Sequence, residues 1–112
     1  MGKAQNMNRK HFFINDREIS NNQPPYIIAE ISANHNGSIQ RAKDTILAAK
    51  KAGVDAVKIQ TYTPDTMTID VANSDFYIRE GLWKGRSLHD LYGEAYTPYE
   101  WHPKLFEFAK KN

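Results

Sequence analysis

The 112-residue sequence contains no cysteine, no long apolar run and no marked excess of charge of either sign. The missing cysteines exclude a disulfide scaffold, a thiolate metal site and a cysteine nucleophile. A transmembrane helix needs about 18 or more consecutive apolar residues, and no such run occurs. Fifteen Lys and Arg against thirteen Asp and Glu give a net charge of +2, too even for a nucleic-acid-binding surface. We therefore expect a soluble, cytoplasmic protein that binds neither nucleic acid nor membrane.

Three regions follow one another along the chain. Residues 1–10 are polar and without periodicity, and we expect a disordered tail there. Residues 11–24 predict a β-hairpin, with Asn15-Asp16 at its turn, and then a linker of turn-forming residues. Residues 25–112 carry the apolar segments of an α/β domain.

The first part of that domain reads as strand, helix and strand. Residues 26–31 form a short apolar run typical of a buried strand, and residues 56–60 form a second one. Between them, residues 39–52 have apolar side chains at three- and four-residue spacing, which predicts an amphipathic helix. Ser38 should cap its start, and Gly53 should end it. This βαβ order makes the two strands parallel neighbours.

The second part is less regular. Residues 62–96 predict a long connection with one short helix at 88–92, and connections of this length are usually functional. Thr97 and Glu100 have the spacing of a capping box and predict a helix start there. Pro103 should bend that helix or delay its true start.

Two parallel strands leave both edges of a sheet open, so this α/β chain is expected to belong to a larger fold. We predict the N-terminal portion of a TIM (β/α)₈ barrel preceded by a small β-hairpin, with residues 25–112 supplying the first two β/α units. The first half of a doubly wound sheet is the alternative.

Three polar side chains are predicted to share one face of the two strands. Side chains alternate along a strand, so Glu30 lies opposite the face of Ala29 and Ile31. Lys58 and Gln60 have the same parity in the second strand, and all three lie toward the carboxyl ends, where barrel active sites form. A buried Glu30–Lys58 ion pair with a purely structural role is the alternative.

The loop after the first strand adds Asn34 and His35 at the same end. His35 could act as an acid or base or bind a substrate, or the loop residues could merely shape the turn. Residues 84–87 (KGRS) resemble a short anion-binding turn, although a solvated basic loop is the simpler interpretation.

Residues 26–37 (YIIAEISANHNG) and 52–60 (AGVDAVKIQ) resemble the start of the sialic acid synthase family, and the likeness extends from about Phe12 to the end. The resemblance implies a TIM barrel that condenses phosphoenolpyruvate with an N-acetylated amino sugar. In that reaction C3 of phosphoenolpyruvate attacks the sugar aldehyde, water adds at C2 and phosphate leaves by C–O cleavage. The product is a nonulosonic acid.

The resemblance also implies residue roles. Glu30 matches the acid that contacts the reacting centre, Lys58 a lysine that binds phosphoenolpyruvate, and Gln60 a residue that contacts the sugar. It further implies a divalent cation (manganese, magnesium or cobalt), whose ligands are not in this chain, and a homodimer of the full-length enzyme.

We accordingly expect the 112-residue chain to be an N-terminal fragment that is inactive by itself. Two other interpretations remain open. One is a different barrel that handles phosphoenolpyruvate or an aldehyde, and the other is a non-catalytic remnant that acts as a binding module.

Overall fold

The computed structural model describes residues 10–112, so residues 1–9 of the predicted tail lie outside the described residues. The described chain is a mixed α/β structure with two small sheets. Its strands are β1 (Phe12–Ile14), β2 (Arg17–Ile19), β3 (Ile28–Glu30) and β4 (Ala56–Lys58). Its α-helices are α1 (Ile39–Ala52), α2 (Pro64–Met67), α3 (Leu88–Ala95) and α4 (His102–Lys111). Two 3₁₀ turns span Ser74–Phe76 and Tyr99–Trp101.

The predicted hairpin is confirmed. Strands β1 and β2 pair antiparallel, with Phe12 opposite Ile19, and Asn15 takes a φ of 51° at the turn. The hairpin is tied to the rest of the chain by Arg17, whose guanidinium pairs with Asp55 and donates to the carbonyl of Pro25 at 3.0 Å. It therefore lies at the end where β4 begins.

The βαβ unit is also confirmed, and its helix has the predicted bounds. Strands β3 and β4 are parallel neighbours. The Ser38 hydroxyl accepts a hydrogen bond from the backbone N–H of Arg41 and caps the first turn of α1. Gly53 ends the helix in the left-handed region, at a φ of 86°, where its N–H reaches the carbonyls of Ala49 and Lys50.

One face of the β3–β4 sheet is covered and the other is open. Ile31, at the end of β3, packs with Ala42 and Ile46 of α1 and Leu105 of α4 in a buried cluster. On the opposite face, the side chain of Ile28 is 56% exposed. The predicted parity holds for the covered face, and the open face is the one that carries the polar residues.

The long connection is more ordered than its sequence predicted. The single short helix expected at 88–92 extends to Ala95, and α2 and the 3₁₀ turn Ser74–Phe76 were not predicted. Helix α2 begins at Pro64, and the Thr66 hydroxyl accepts a hydrogen bond from the backbone N–H of Thr63 at 3.1 Å. The helix then packs against α3.

The capping box predicted at Thr97 is wrong. The chain there makes the 3₁₀ turn Tyr99–Trp101, whose N-cap is Pro98 with no side-chain cap. Thr97 is fully buried and its hydroxyl bonds to His35, a partner 62 residues away. The predicted effect of Pro103 is confirmed, because α4 starts only at His102, with the proline in its first turn.

Within residues 10–112 the structure contains one parallel strand pair, so the complete barrel remains a prediction. Every helix in this part of the chain is too short or too polar to cross a membrane.

Two glycine substitutions test the observed backbone conformations, one at the end of α1 and one inside α3. Gly53→Ala should lower the free energy of unfolding by about 1 kcal/mol, because a Cβ strains the left-handed backbone. Gly93→Ala should raise it by about 0.5–1 kcal/mol, since α3 gains helix propensity. The added Cβ would meet Pro64 at an ordinary contact distance of 3.6 Å. Urea unfolding followed by circular dichroism measures both, and effects of the same sign would contradict the assigned backbone conformations.

Candidate functional site

A lysine–glutamate pair lies on the open face of the parallel sheet. Glu30 and Lys58 are direct partners in the β3–β4 register. The Lys58 ammonium donates to both carboxylate oxygens of Glu30, at 2.9 and 3.0 Å. The pairing follows from the parallel register and the shared parity of the two residues. The predicted meeting of these side chains at the strand ends is confirmed.

The pair is exposed to solvent. Among the described residues the side chains of Lys58 and Glu30 are 59% and 43% exposed, so the predicted ion pair forms but is not buried here. An ion pair this open contributes only about 0–1 kcal/mol to stability, because water screens it and both side chains lose freedom. An anionic ligand could therefore replace Glu30 as a partner of Lys58 at little cost to the fold.

Gln60 lies two residues beyond Lys58, and Ser32 lies two residues beyond Glu30. The Ser32 hydroxyl donates to the side-chain oxygen of Gln60 at 3.2 Å. This bond leaves the amide nitrogen of Gln60 without a partner among residues 10–112, so it can donate to a ligand. Ser32 adopts a φ of 50°, an unusual conformation for a residue with a side chain. The sequence analysis singled out Gln60 and missed Ser32.

The loop after β3 is held by its own side chains. The Asn34 amide donates to the carbonyl of Ile31 at 2.9 Å. Asn36 and Gly37 both take positive φ values, 46° and 71°, as the loop-shaping interpretation expected. Asn34 is exposed beside the site, whereas its side chain is committed to the turn.

His35 is buried, with 1% of its surface exposed. Its Nδ1 accepts from the backbone N–H of Gly37 at 3.1 Å, and its Nε2 lies 3.1 Å from the Thr97 hydroxyl. The ring of Trp101 meets the imidazole edge to face, with centroids 5.1 Å apart. Both ring nitrogens are used within the chain, so the geometry favours the loop-shaping alternative over direct substrate contact.

The segment after α3 is tied to the end of β4, which the sequence analysis did not foresee. The backbone N–H of Thr97 donates to the carbonyl of Gln60 at 2.9 Å. The imidazole of His102 bonds to the hydroxyl of Thr61. These contacts join residues that are 37 and 41 positions apart in the sequence, so no local sequence pattern predicts them.

The basic turn at residues 84–87 is committed to the fold. Arg86 makes a two-pronged ion pair with Glu94 of α3, at 2.6 and 2.9 Å. The hydroxyl of Ser87 accepts from the N–H of Asp90 and caps α3. Both groups that an anion would need already have partners, so the structure favours the simpler interpretation of this turn.

The metal implied by the resemblance does not fit the described residues. Among residues 10–112, no three His, Asp or Glu side chains come together in a way that could hold a metal ion. The Glu30–Lys58 pair offers one carboxylate beside a cation, which is a poor donor set for a divalent ion.

Comparison with known proteins identifies the class. Residues 45–112 match the NeuB family model, and the chain belongs to this family. It is 58% identical to a pseudaminic acid synthase of Campylobacter jejuni over 85 residues, which are 76% of this chain and 25% of that protein. The membership of the sialic acid synthase family predicted from the sequence is confirmed.

Other relatives match over similar lengths of the chain. A pseudaminic acid synthase of Helicobacter pylori is 49% identical over 89 residues, covering 80% of this chain and 26% of that protein. An N,N'-diacetyllegionaminic acid synthase of Legionella pneumophila is 34% identical over 84 residues, covering 75% and 24%. The chain thus spans about a quarter of the length of the curated relatives it matches.

Acid should destabilise the fold through His35. Burial lowers the pKa of His35 below its usual value of 6.5, so the unfolded chain takes up this proton first as the pH falls. Stability is therefore complete above pH 6.5 and decreases below it. His35→Gln should flatten this decrease, measured as the urea midpoint from about pH 8 to about pH 5.

His89 provides a control of opposite sign. The hydrogen bond that His89 donates to the Asp65 carboxylate raises the pKa of His89 above 6.5. Its contribution to stability is therefore present at acidic pH and is lost as the pH rises through the folded pKa. His89→Gln should change how the urea midpoint varies with pH in the neutral range, and it should leave the decrease at acidic pH unchanged. If the urea midpoint of the His35→Gln variant decreases at acidic pH as much as that of the unmodified protein, the assignment of His35 as a buried neutral group is contradicted.

Proposed function

We propose that this chain is the N-terminal part of a nonulosonic acid synthase, specifically a pseudaminic acid synthase, that condenses phosphoenolpyruvate with an N-acetylated amino sugar. The observation that carries the proposal is the open Glu30–Lys58 pair at the ends of two parallel strands. It occurs in a chain 49–58% identical to pseudaminic acid synthases over most of its length.

Lys58 is proposed to bind phosphoenolpyruvate. Its ammonium has three donors and is more than half exposed, so it can reach a phosphate or carboxylate group. Bonds between an ammonium and such an anion are charge-assisted and therefore strong. As the anion arrives, Lys58 exchanges part of its contact with Glu30 for contact with the ligand.

Glu30 is proposed to act at the reacting centre. Losing part of its contact with Lys58 leaves a carboxylate beside the bound anion, where it can accept a proton or hydrogen-bond a developing hydroxyl. Glu30 and phosphoenolpyruvate would then both contact the Lys58 ammonium, and this shared contact would set the distance between them. Orientation of this kind lowers the entropy cost of the reaction.

Gln60 is proposed to contact the sugar. Its amide nitrogen is the group available for donation, because the amide oxygen is engaged by Ser32. An amide donor in this position suits a hydroxyl or N-acetyl oxygen. Two of the proposed roles thus fall on the paired residues Glu30 and Lys58, and the third falls on Gln60, just beyond the end of β4.

The rest of the enzyme is proposed from the family. The β3–β4 unit would be the first part of a TIM barrel, and the full-length enzyme would be a cytoplasmic homodimer. Its divalent cation would be held by residues outside the described part of this chain. By itself, the 112-residue chain would be inactive.

Lys58 and Glu30 should affect different kinetic constants in the complete protein. Lys58→Ala should raise the KM for phosphoenolpyruvate about ten- to hundredfold, because one charge-assisted contact to an anion is lost. Glu30→Gln should lower kcat by about a hundredfold, since its role lies in the transition state. Steady-state phosphate release measures both constants.

Two exposed residues provide matched controls. Lys51→Ala, in the last turn of α1, and Glu107→Gln, on α4, remove the same charges away from the open face and should leave both constants unchanged. Near wild-type kinetics for Lys58→Ala and Glu30→Gln would refute the assigned roles.

The sugar can be identified by competition. Residues 60–68 (QTYTPDTMT) and 81–88 (GLWKGRSL) resemble the pseudaminic branch of the family. We expect the complete protein to prefer the 6-deoxy, di-N-acetylated altrose precursor of pseudaminic acid over N-acetylmannosamine. Product analysis from an equimolar mixture of these two sugars and the legionaminate precursor decides this. A preference for N-acetylmannosamine would indicate an N-acetylneuraminate synthase, and a preference for the legionaminate precursor a legionaminate synthase.

A further inference from the structure

Thr97 links the ends of both parallel strands from a fully buried position. Its backbone N–H donates to the carbonyl of Gln60, just beyond β4, at 2.9 Å. Its hydroxyl lies 3.1 Å from Nε2 of His35, in the loop beyond β3. We call these two bonds the Thr97 link.

The direction of the hydrogen bond between His35 and Thr97 follows from the contact of the other ring nitrogen of His35. Gly37 donates its N–H to Nδ1, so Nδ1 carries no proton in this arrangement. A neutral imidazole then carries its proton on Nε2 and donates it to the Thr97 hydroxyl. The link therefore specifies one tautomer of His35.

The link holds both partners of the Ser32–Gln60 hydrogen bond. Gln60 is held through its backbone carbonyl, and Ser32 begins the loop that His35 anchors. A second tie lies next to the first, because His102 bonds to the hydroxyl of Thr61. The side chain of Gln60 is thus oriented by groups that do not lie on the open face.

Lys58 and Glu30 are fixed by other means. They face each other within the β3–β4 ladder, and the N–H of Ile31 donates to the carbonyl of Lys58 at 2.9 Å. Breaking the Thr97 link would therefore displace Gln60 more than the Glu30–Lys58 pair.

We propose that Thr97 and His35 are positioning residues for sugar recognition, acting through Gln60 without touching the substrate. This inference rests on the proposed function, because it needs Gln60 to contact the sugar. It assigns Thr97 a role that the sequence pattern had attributed to helix capping.

The test is a comparison of KM values in the complete protein. Thr97→Val keeps the backbone bond to Gln60 and nearly the same shape, and it removes the hydroxyl that His35 needs. We expect the KM for the sugar to rise about tenfold, because small misplacements of a binding group are costly, while the KM for phosphoenolpyruvate stays within about twofold. Thr97→Ser restores the hydroxyl and should restore the sugar KM.

A second readout follows the link itself. The ¹⁵N chemical shifts of the His35 ring should indicate the Nε2–H tautomer in the unmodified protein and in Thr97→Ser. If Thr97→Val does not fold, Thr61→Val, which breaks the neighbouring tie to His102, should give the same selective rise in sugar KM.

Three results would overturn the proposal. They are an unchanged sugar KM in a folded Thr97→Val protein, an equal rise of both KM values, or a failure of Thr97→Ser to restore binding. Each leaves the proposed function intact. If the unmodified complete protein consumes phosphoenolpyruvate with none of the N-acetylated sugars, the proposed function fails, and this inference fails with it.

Discussion

The parallel pairing of β3 with β4 is the constraint on which the rest of the described structure depends. A crossover helix must connect parallel neighbours, and α1 fills that role between Ser38 and Gly53. The register sets Glu30 opposite Lys58 and carries Ile31 into the cluster beneath α1 and α4. Covered apolar packing and an open polar face are thus two consequences of one alignment, because side chains alternate along a strand.

The exposure of the Glu30–Lys58 pair makes it a weak ion pair. A buried pair would be expensive to separate, since each charge would lose its compensation. At 59% and 43% exposure, Lys58 and Glu30 retain water and can accept another partner. Gln60 lies just beyond the end of β4, where its side-chain oxygen accepts from Ser32. The arrangement suits a site that exchanges an internal contact for a bound anion.

In the long connection, polar contacts act beside a small aromatic cluster in which Tyr62 packs against Tyr92 and Tyr96. Arg86 forms an ion pair with Glu94, and His89 of α3 bonds to Asp65 of α2. The buried hydroxyl of Thr97 bonds to His35, in the loop that follows β3. Of these contacts, the one between Thr97 and His35 pairs two buried groups that would be costly to leave unsatisfied.

Local sequence determined the elements whose signals are local: the helix at 39–52 with its Ser38 cap and Gly53 end, the hairpin, and the face on which Glu30 lies. Caps, periodicity and strand parity act over a few residues, so they can be read without a fold. Only the tertiary structure decided the partner of Thr97. A local capping bond and a bond to His35 are chemically similar, and packing chose the distant partner because both groups are buried together.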